Sequence, residues 1–230
     1  MFTDYQYAYF IGDLIIALPA WALIFYLRKD LRREMLIAGL MLGLLSVLTE
    51  PWYLRDYWQP EGMVRARIIL GDFFFGFFPG AVACVVYEGV FGKHYTQRKN
   101  RAHHWRSFLL PLTAFGGLMF LLLVYADINS MYASSIALIA LAVVMVFYRP
   151  DLLWDAVWSS LLFGTLATLG YLAMFHVIYP GIVESWWLSA NASGTLVLGI
   201  PIEEIAFEFS LGMAMGPMYE FFAGSRFLKR

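Results

Sequence analysis

Apolar residues fill seven stretches of the chain, and short polar segments separate them. At a rise of about 1.5 Å per residue, an α-helix over each stretch spans most of the roughly 30 Å hydrocarbon core of a bilayer. The pattern therefore predicts seven transmembrane helices, at residues 7–27, 35–54, 67–91, 107–126, 131–148, 156–178 and 194–222.

The amino-acid composition is that of a membrane protein. Of the 230 residues, 61% are hydrophobic and only 14% are charged, whereas about a quarter of the residues in a soluble domain are charged. We predict an all-α integral membrane protein whose surroundings are membrane lipid. The net charge of −1 carries no signature of a nucleic-acid partner. The single cysteine, Cys84, excludes a disulfide within one chain and a cysteine-based metal site.

Lysine and arginine residues are unevenly distributed between the two sides of the predicted membrane. The segments after the first, third, fifth and seventh apolar runs hold thirteen of the sixteen. The positive-inside rule then predicts a multi-pass protein of the cell membrane with its N-terminus outside and its C-terminus in the cytoplasm. Trp52 and other aromatic residues fall at the outer interface, where an aromatic belt is as good an interpretation as contact with a substrate.

The chain contains an internal repeat. Residues 28–34 match residues 149–155 at a spacing of 121, and residues 70–71 match residues 198–199 at a spacing of 128. We predict two parallel three-helix repeats joined by a connector helix, a 3+1+3 arrangement in which sites tend to lie between the two copies. The predicted units are the first repeat with its cytoplasmic loop (1–106), the connector helix (107–130) and the second repeat with its acidic motif (131–230).

Three carboxylates interrupt the last apolar run. An ionised acid at the centre of a bilayer costs roughly 2.5–3.5 kcal/mol on insertion scales, so we interpret Glu203, Glu204 and Glu208 as catalytic candidates. Glu204 and Glu208 lie one turn apart on one helix face, and Glu203 lies on a neighbouring stripe. Pro201 puts the acids at a kink or in the first turn of a new helix. A carboxyl group in such surroundings is expected to keep its proton and to act as a proton donor.

The first repeat carries aromatic rings opposite these acids. At the spacing of 128, residues 73–76 align with residues 201–204, and Asp72 precedes them. Rings that line a pocket opposite the carboxylates would stabilise a carbocation, although packing on lipid or on neighbouring helices is the alternative. Asp72 is a further catalytic candidate, with a structural pairing to Arg67 as its alternative. The predicted substrate-binding residues are Phe73, Phe74, Phe75, Phe77, Phe78, Pro201, Phe207, Glu50 and Trp52.

The stretch Gly199-Ile200-Pro201-Ile202-Glu203-Glu204-x-x-Phe207 resembles the Pro-x-Glu-Glu-x-x-Phe motif of the membrane-integral lycopene cyclase domain family. That family occurs as paired or fused subunits in some bacteria, as fused proteins in archaea and in bifunctional fungal enzymes. The duplicated three-helix unit and the chain length are similar to those of the fused proteins.

The resemblance implies a redox-neutral isomerisation of a linear C40 carotenoid or a related isoprenoid, with no flavin or other cofactor and no metal. It implies that protonated Glu203 or Glu204 gives a proton to the terminal double bond and that the cation closes to a six-membered ring. A nearby carboxylate then removes a proton to leave a β-ring.

Other functions stay open at this point. A 3+1+3 transporter shares the topology, and a carotenoid-binding protein without cyclase activity would copurify with unchanged pigment. The spacing Asp151-x-x-x-Asp155 suggests an isoprenoid-handling transferase, although acids at a helix N-terminus explain this pair equally well. The sequence leaves open the exact substrate, the number of ends cyclised and whether the chain forms a homo-oligomer.

Overall fold

Helices make up most of the described chain. The computed structural model describes residues 5–60, 65–93, 95–97 and 105–227. Within these ranges, five helices are long and apolar enough to cross a membrane, namely Ala8–Leu27, Arg32–Asp56, Ile68–Phe91, Ser130–Tyr148 and Pro150–Ile178. The protein is an all-α membrane protein, as its composition predicts.

Nine helices are numbered in chain order through the described residues. They are α1 (Ala8–Leu27, with a π turn at Asp13–Ala17), α2 (Arg32–Asp56), α3 (Arg65–Phe91), α4 (Trp105–Phe120, extended by a π turn at Leu121–Tyr125), α5 (Ser130–Tyr148), α6 (Leu153–Ala173, extended by a π turn at Met174–Ile178), α7 (Ile182–Trp186), α8 (Ile202–Met215) and α9 (Met218–Ala223). Two short antiparallel pairs accompany them, β1 (Tyr95–Gln97) with β4 (Ser225–Phe227) and β2 (Leu196–Val197) with β3 (Ile200–Pro201).

The last apolar run is not the single helix expected from the sequence. It begins with the β2–β3 hairpin, which turns at Leu198 and Gly199 with φ angles of +53° and +76°. Helix α8 begins directly after Pro201 and is separated from α9 by Gly216-Pro217. Proline is compatible with a helix start because the first N–H groups of a helix have no intrahelical partner. The sequence allows either a kink or a new helix at Pro201. The structure has a new helix, and Glu203 and Glu204 lie in its first turn.

Two helix pairs pack in the same way. Helix α2 packs along α3, and α6 packs along α8. In the first pair Gly39 lies against the carbonyl oxygen of Phe77. In the second pair the Ser160 hydroxyl donates a 2.7 Å hydrogen bond to the carbonyl oxygen of Phe209. Corresponding residues are 121 positions apart in α2 and α6, and 132 positions apart in α3 and α8.

A similar arginine contact is found near the loop-side end of each helix pair. Arg28 binds the carboxylate two residues further on at 2.8 Å and donates to the backbone carbonyl of Glu88. Arg149 binds the carboxylate two residues further on at 2.8 Å and donates to the backbone carbonyl of Glu220. The arginines are again 121 positions apart and the glutamates 132 positions apart, so the same contact recurs in both halves of the described chain.

These contacts relate the third helix of the first repeat to its counterpart by a spacing of 132 residues, whereas a spacing of 128 is expected from the sequence. The spacing of 132 pairs Asp72 with Glu204 and Gly76 with Glu208, so an acid in the first repeat occupies the position of Glu204. The hairpin before α8 accounts for the difference because it lengthens the segment that leads into this helix. At the spacing of 128 the position equivalent to Glu204 is Gly76, whereas at the spacing of 132 it is the acid Asp72.

Candidate functional site

A cavity of about 280 Å³ lies between helices from both halves of the chain. Residues of every numbered helix except α9 line it, and most of them are apolar. Four carboxyl groups reach its wall, from Asp13, Glu50, Glu204 and Glu208. No lysine or arginine is among the described lining residues. The cavity thus combines acids with a surface suited to a hydrocarbon ligand.

Glu204 has the larger set of hydrogen-bond donors. Its Oε1 accepts from Trp187 Nε1 at 2.8 Å, and its Oε2 accepts from the Tyr171 hydroxyl at 2.9 Å. Tyr57 lies next to the same carboxyl group. Donors that converge on one carboxylate stabilise its charged form. Glu204 is therefore held as a negative charge better than any other acid of the cavity wall for which hydrogen bonds are observed.

Glu208 lies one turn further along α8 and shares a partner with Glu204. Its Oε1 is 2.8 Å from the Tyr171 hydroxyl, and its Oε2 has no hydrogen-bond partner among the described residues. A tyrosine hydroxyl carries one proton, so it donates to only one of two carboxyl groups. For both contacts to be hydrogen bonds, the hydroxyl must donate to one carboxylate and accept from the other carboxyl group, which must then carry a proton. Because Trp187 already donates to Glu204, the proton is assigned to Glu208.

Glu203 points away from the cavity. Its Oε1 accepts from the Tyr132 hydroxyl at 2.7 Å and from the backbone N–H of Ser193 at 2.8 Å. These contacts tie the segment before the β2–β3 hairpin to α5. Glu203 is buried and is not among the cavity-lining residues. Of the two adjacent acids of the motif, the structure brings only Glu204 to the cavity.

A second group of acids lies on the side of the first repeat. Asp72 is fully buried and lies beside Glu50 and Tyr9. Asp13, from the π turn of α1, is close to Tyr9 as well. Glu50 and Asp13 line the cavity, whereas Asp72 lies behind its wall. The side chain of Arg67, the alternative partner of Asp72, falls outside the described residues.

The predicted aromatic residues divide between the cavity and the helix interfaces. Phe75 and Phe207 line the cavity, and Pro201 is buried just before α8. The other four phenylalanines predicted on α3 do not line the cavity. Phe73 stacks on Phe77, and Phe74 stacks on Phe78. Phe77 and Phe78 also contact Trp21 of α1. Trp52 is 37% exposed and lies outside the cavity.

An aromatic cap covers the acidic end of the cavity. Two backbone hydrogen bonds, of 2.7 and 2.8 Å, join residues 57–59 at the end of α2 to residues 186–188 after α6. Trp58 and Trp187 form a β-bridge at the same place, with ring centroids 6.3 Å apart. The cap, defined here as residues 57–59 with 186–188, therefore holds the indole that donates to Glu204.

Several polar residues of this site are not evident from the sequence pattern. Tyr171 and Asp13 are absent from the candidates that the sequence indicates, and Tyr57 and Trp187 belong to the aromatic residues of the outer interface, for which a belt and a substrate contact are both open interpretations. A signal for Tyr171 was available in the repeat, because it lies 121 positions after Glu50 and so occupies the equivalent position of the second copy. No comparable signal existed for the cap, which depends on contacts between two distant loops.

A separate carboxylate group lies near the loop-side ends of the helices. Oxygen atoms of Glu88, Asp155 and Glu220 are all within 4.8 Å of one another, a spacing that suits a metal ion. On α3, Glu88 is about 9 Å along the helix axis from Val82, the cavity-lining residue of this helix that is nearest to it in the sequence. Asp155 belongs to it, whereas Asp151 pairs with an arginine. The structure therefore does not unite Asp151 and Asp155 as the transferase alternative requires.

Comparison with known proteins identifies the second half of the chain. The family model described as lycopene cyclase matches residues 129–222, which extend from the start of α5 into α9. No curated protein and no solved structure shows significant similarity to the chain. The matched region contains Tyr171, Trp187, Glu204 and Glu208, all the members of the hydrogen-bonded group at the cavity. Residues 129–222 of this chain therefore match the lycopene cyclase domain family.

Proposed function

We propose that the chain is a membrane enzyme that closes the ends of a linear carotenoid to β-rings by acid catalysis, without net oxidation or reduction. The observation that carries this proposal is the hydrogen-bonded sequence Glu204, Tyr171, Glu208 in the wall of an otherwise apolar cavity. The family match to residues 129–222 supports the same assignment and does not favour the transporter alternative.

Glu208 is the proposed proton donor. It holds the proton that the two contacts of Tyr171 require, and rotation about its Cγ–Cδ bond turns the hydroxyl from Tyr171 towards the cavity. A carboxylic acid buried among apolar residues keeps its proton until the substrate enters, because burial disfavours the charged carboxylate, and it is then placed to act as a general acid. Glu204, charged and held by Trp187, is the proposed acceptor.

The reaction then follows from these two roles. The proton of Glu208 forms a C–H bond at the terminal double bond, and the other carbon of that bond becomes a tertiary cation. The π electrons of the next double bond form the ring-closing C–C bond and move the cation into the ring. Glu204 removes the proton from the newly bonded ring carbon, and the electrons of that C–H bond form the ring double bond. The product has the same atoms as the substrate.

Two phenylalanine rings are suited to stabilise the cation. Phe75 and Phe207 line the cavity from α3 and α8, at equivalent positions 132 residues apart. The face of an aromatic ring stabilises a desolvated cation by about 2 kcal/mol. We assign the neighbouring Glu50 and Asp72 to the same task, because they add acidic oxygen atoms on the first-repeat side of the site.

We further propose that the chain is of the fused type, with seven spans arranged as two parallel repeats around a connector helix. The recurring arginine contacts and the matching α2–α3 and α6–α8 packing support this arrangement. Helix α8, of 14 residues, and the apolar helix Thr113–Tyr125 are the two shorter spans. The basic loops favour an outside N-terminus and a cytoplasmic C-terminus.

Cysteine labelling tests this orientation. Cys84 is buried, so the natural chain should react poorly with a membrane-impermeant maleimide. We expect the exposed Ser189→Cys to react in intact cells and the exposed Lys29→Cys to react only after the cells are opened. The reverse pattern would contradict the proposed orientation.

Pigment analysis tests the proposed activity. Expression in a lycopene-accumulating bacterium should convert lycopene to products of unchanged mass with altered retention and absorption. The numbers of one-ring and two-ring products show how many ends react. Unchanged lycopene in cells whose membranes contain the folded protein would refute the assignment to lycopene.

A further inference from the structure

We propose that Tyr171 returns the proton from Glu204 to Glu208 after each ring closure, so that the site recycles one proton instead of drawing one from water. This inference rests on the proposed cyclase function. It concerns the step that follows ring closure, when Glu208 is charged and Glu204 holds the proton taken from the ring.

The contacts around Tyr171 are those of a two-step proton relay. Its hydroxyl lies 2.9 Å from Glu204 Oε2 and 2.8 Å from Glu208 Oε1, both ordinary hydrogen-bond distances. After ring closure, Glu204 donates its proton to the tyrosine oxygen, and the tyrosine gives its own proton to Glu208. Each O–H bond that breaks is matched by one that forms. The tyrosine is neutral before and after, and the starting state of the acid pair is restored.

The surroundings of the relay restrict exchange with water. Glu204 and Glu208 are 6% and 2% exposed. The cap covers their end of the cavity, and Trp187 occupies Glu204 Oε1. The remaining wall is mainly apolar and offers few groups that could hold a continuous file of water molecules. The shortest path for the returning proton is therefore the one through Tyr171.

Deuterium incorporation distinguishes recycling from exchange. Membranes that contain the enzyme are incubated in D2O with unlabelled lycopene, and the product is analysed by mass after many turnovers. Recycling returns hydrogen from the substrate to the next substrate, so the wild type should incorporate well below one deuterium per ring. Tyr171→Phe removes the relay hydroxyl, so we expect a rate lower by about 10²-fold and a label that rises to one deuterium per ring.

A matched substitution controls for the loss of any tyrosine hydroxyl near the acids. Tyr132 contacts Glu203 and does not line the cavity, so Tyr132→Phe should keep the low label of the wild type. One deuterium per ring in the wild type would overturn the recycling, even if Tyr171→Phe does not fold. A low label that persists in Tyr171→Phe would overturn the role of Tyr171. Failure of the wild type to form rings would refute the proposed function itself and is distinguishable from both results.

Discussion

Glu208→Gln should lower ring formation by about 10²- to 10⁴-fold, the range that a positioned general acid contributes. Glutamine has nearly the same shape and keeps a hydrogen bond with Tyr171, but it has no acidic proton to give to the terminal double bond. Folding should be little affected because the substitution replaces one buried polar group by another that retains a partner. The measurement is the rate of conversion of lycopene by membranes that contain equal amounts of folded protein.

Glu203→Gln is the matched control, because it makes the same chemical change five positions earlier on the same helix. Its side-chain oxygen still accepts from Tyr132 and from the Ser193 backbone, and neither contact reaches the cavity. Activity should stay within a few-fold of the wild type. Equal losses in the two variants, or full activity of Glu208→Gln, would contradict the division of roles between the acids of α8.

Gly76→Ala should destabilise the fold by about 1–3 kcal/mol, the usual cost of overpacking. A Cβ atom added to Gly76 would lie 2.5 Å from the carbonyl oxygen of Leu42, and this neighbour is backbone that cannot rotate aside. The change would force α2 and α3 apart along their shared face. The fraction of detergent-solubilised protein that remains monodisperse after stepwise heating should therefore fall at a lower temperature.

Gly116→Ala provides the control for helix propensity. Position 116 lies in α4, and a Cβ atom there meets no neighbour within 4 Å among the described residues. Alanine favours a helix interior over glycine by about 1 kcal/mol, so this variant should be as stable as the wild type or slightly more stable. If both variants lose stability equally, close approach of α2 and α3 at Gly76 is not the cause.

The helical class, five of the seven predicted spans and the start of α8 follow from local properties of the sequence. Apolar length predicts the long helices, and Pro201 indicates where a new helix begins. Helical periodicity also predicts that Glu204 and Glu208 share a face, and both line the cavity. Periodicity does not determine which neighbouring helix each face of α8 contacts. It therefore does not reveal that Glu203 contacts Tyr132 of α5.

Local sequence patterns do not determine which phenylalanines of α3 face the cavity. Five rings in six positions surround a helix, so only some of them can face one cavity, and neighbouring helices decide which. Phe75 reaches the cavity, whereas Phe73 and Phe77 pack towards glycines of α2. The alignment at 128 failed for a related reason, because a hairpin turn changes the spacing between copies without changing the hydrophobic pattern.

The pairing of Gly76 with Glu208 limits how the two halves can share their work. The first half requires a residue without a side chain at this position, because the backbone of Leu42 occupies the space. The second half carries a carboxyl group at the same position, where it borders the cavity. A single point change therefore cannot place a carboxyl group at this position of the first half without separating its helices. The asymmetry between the copies is therefore maintained by packing, and exchanging their roles would require a change in the partner helix first.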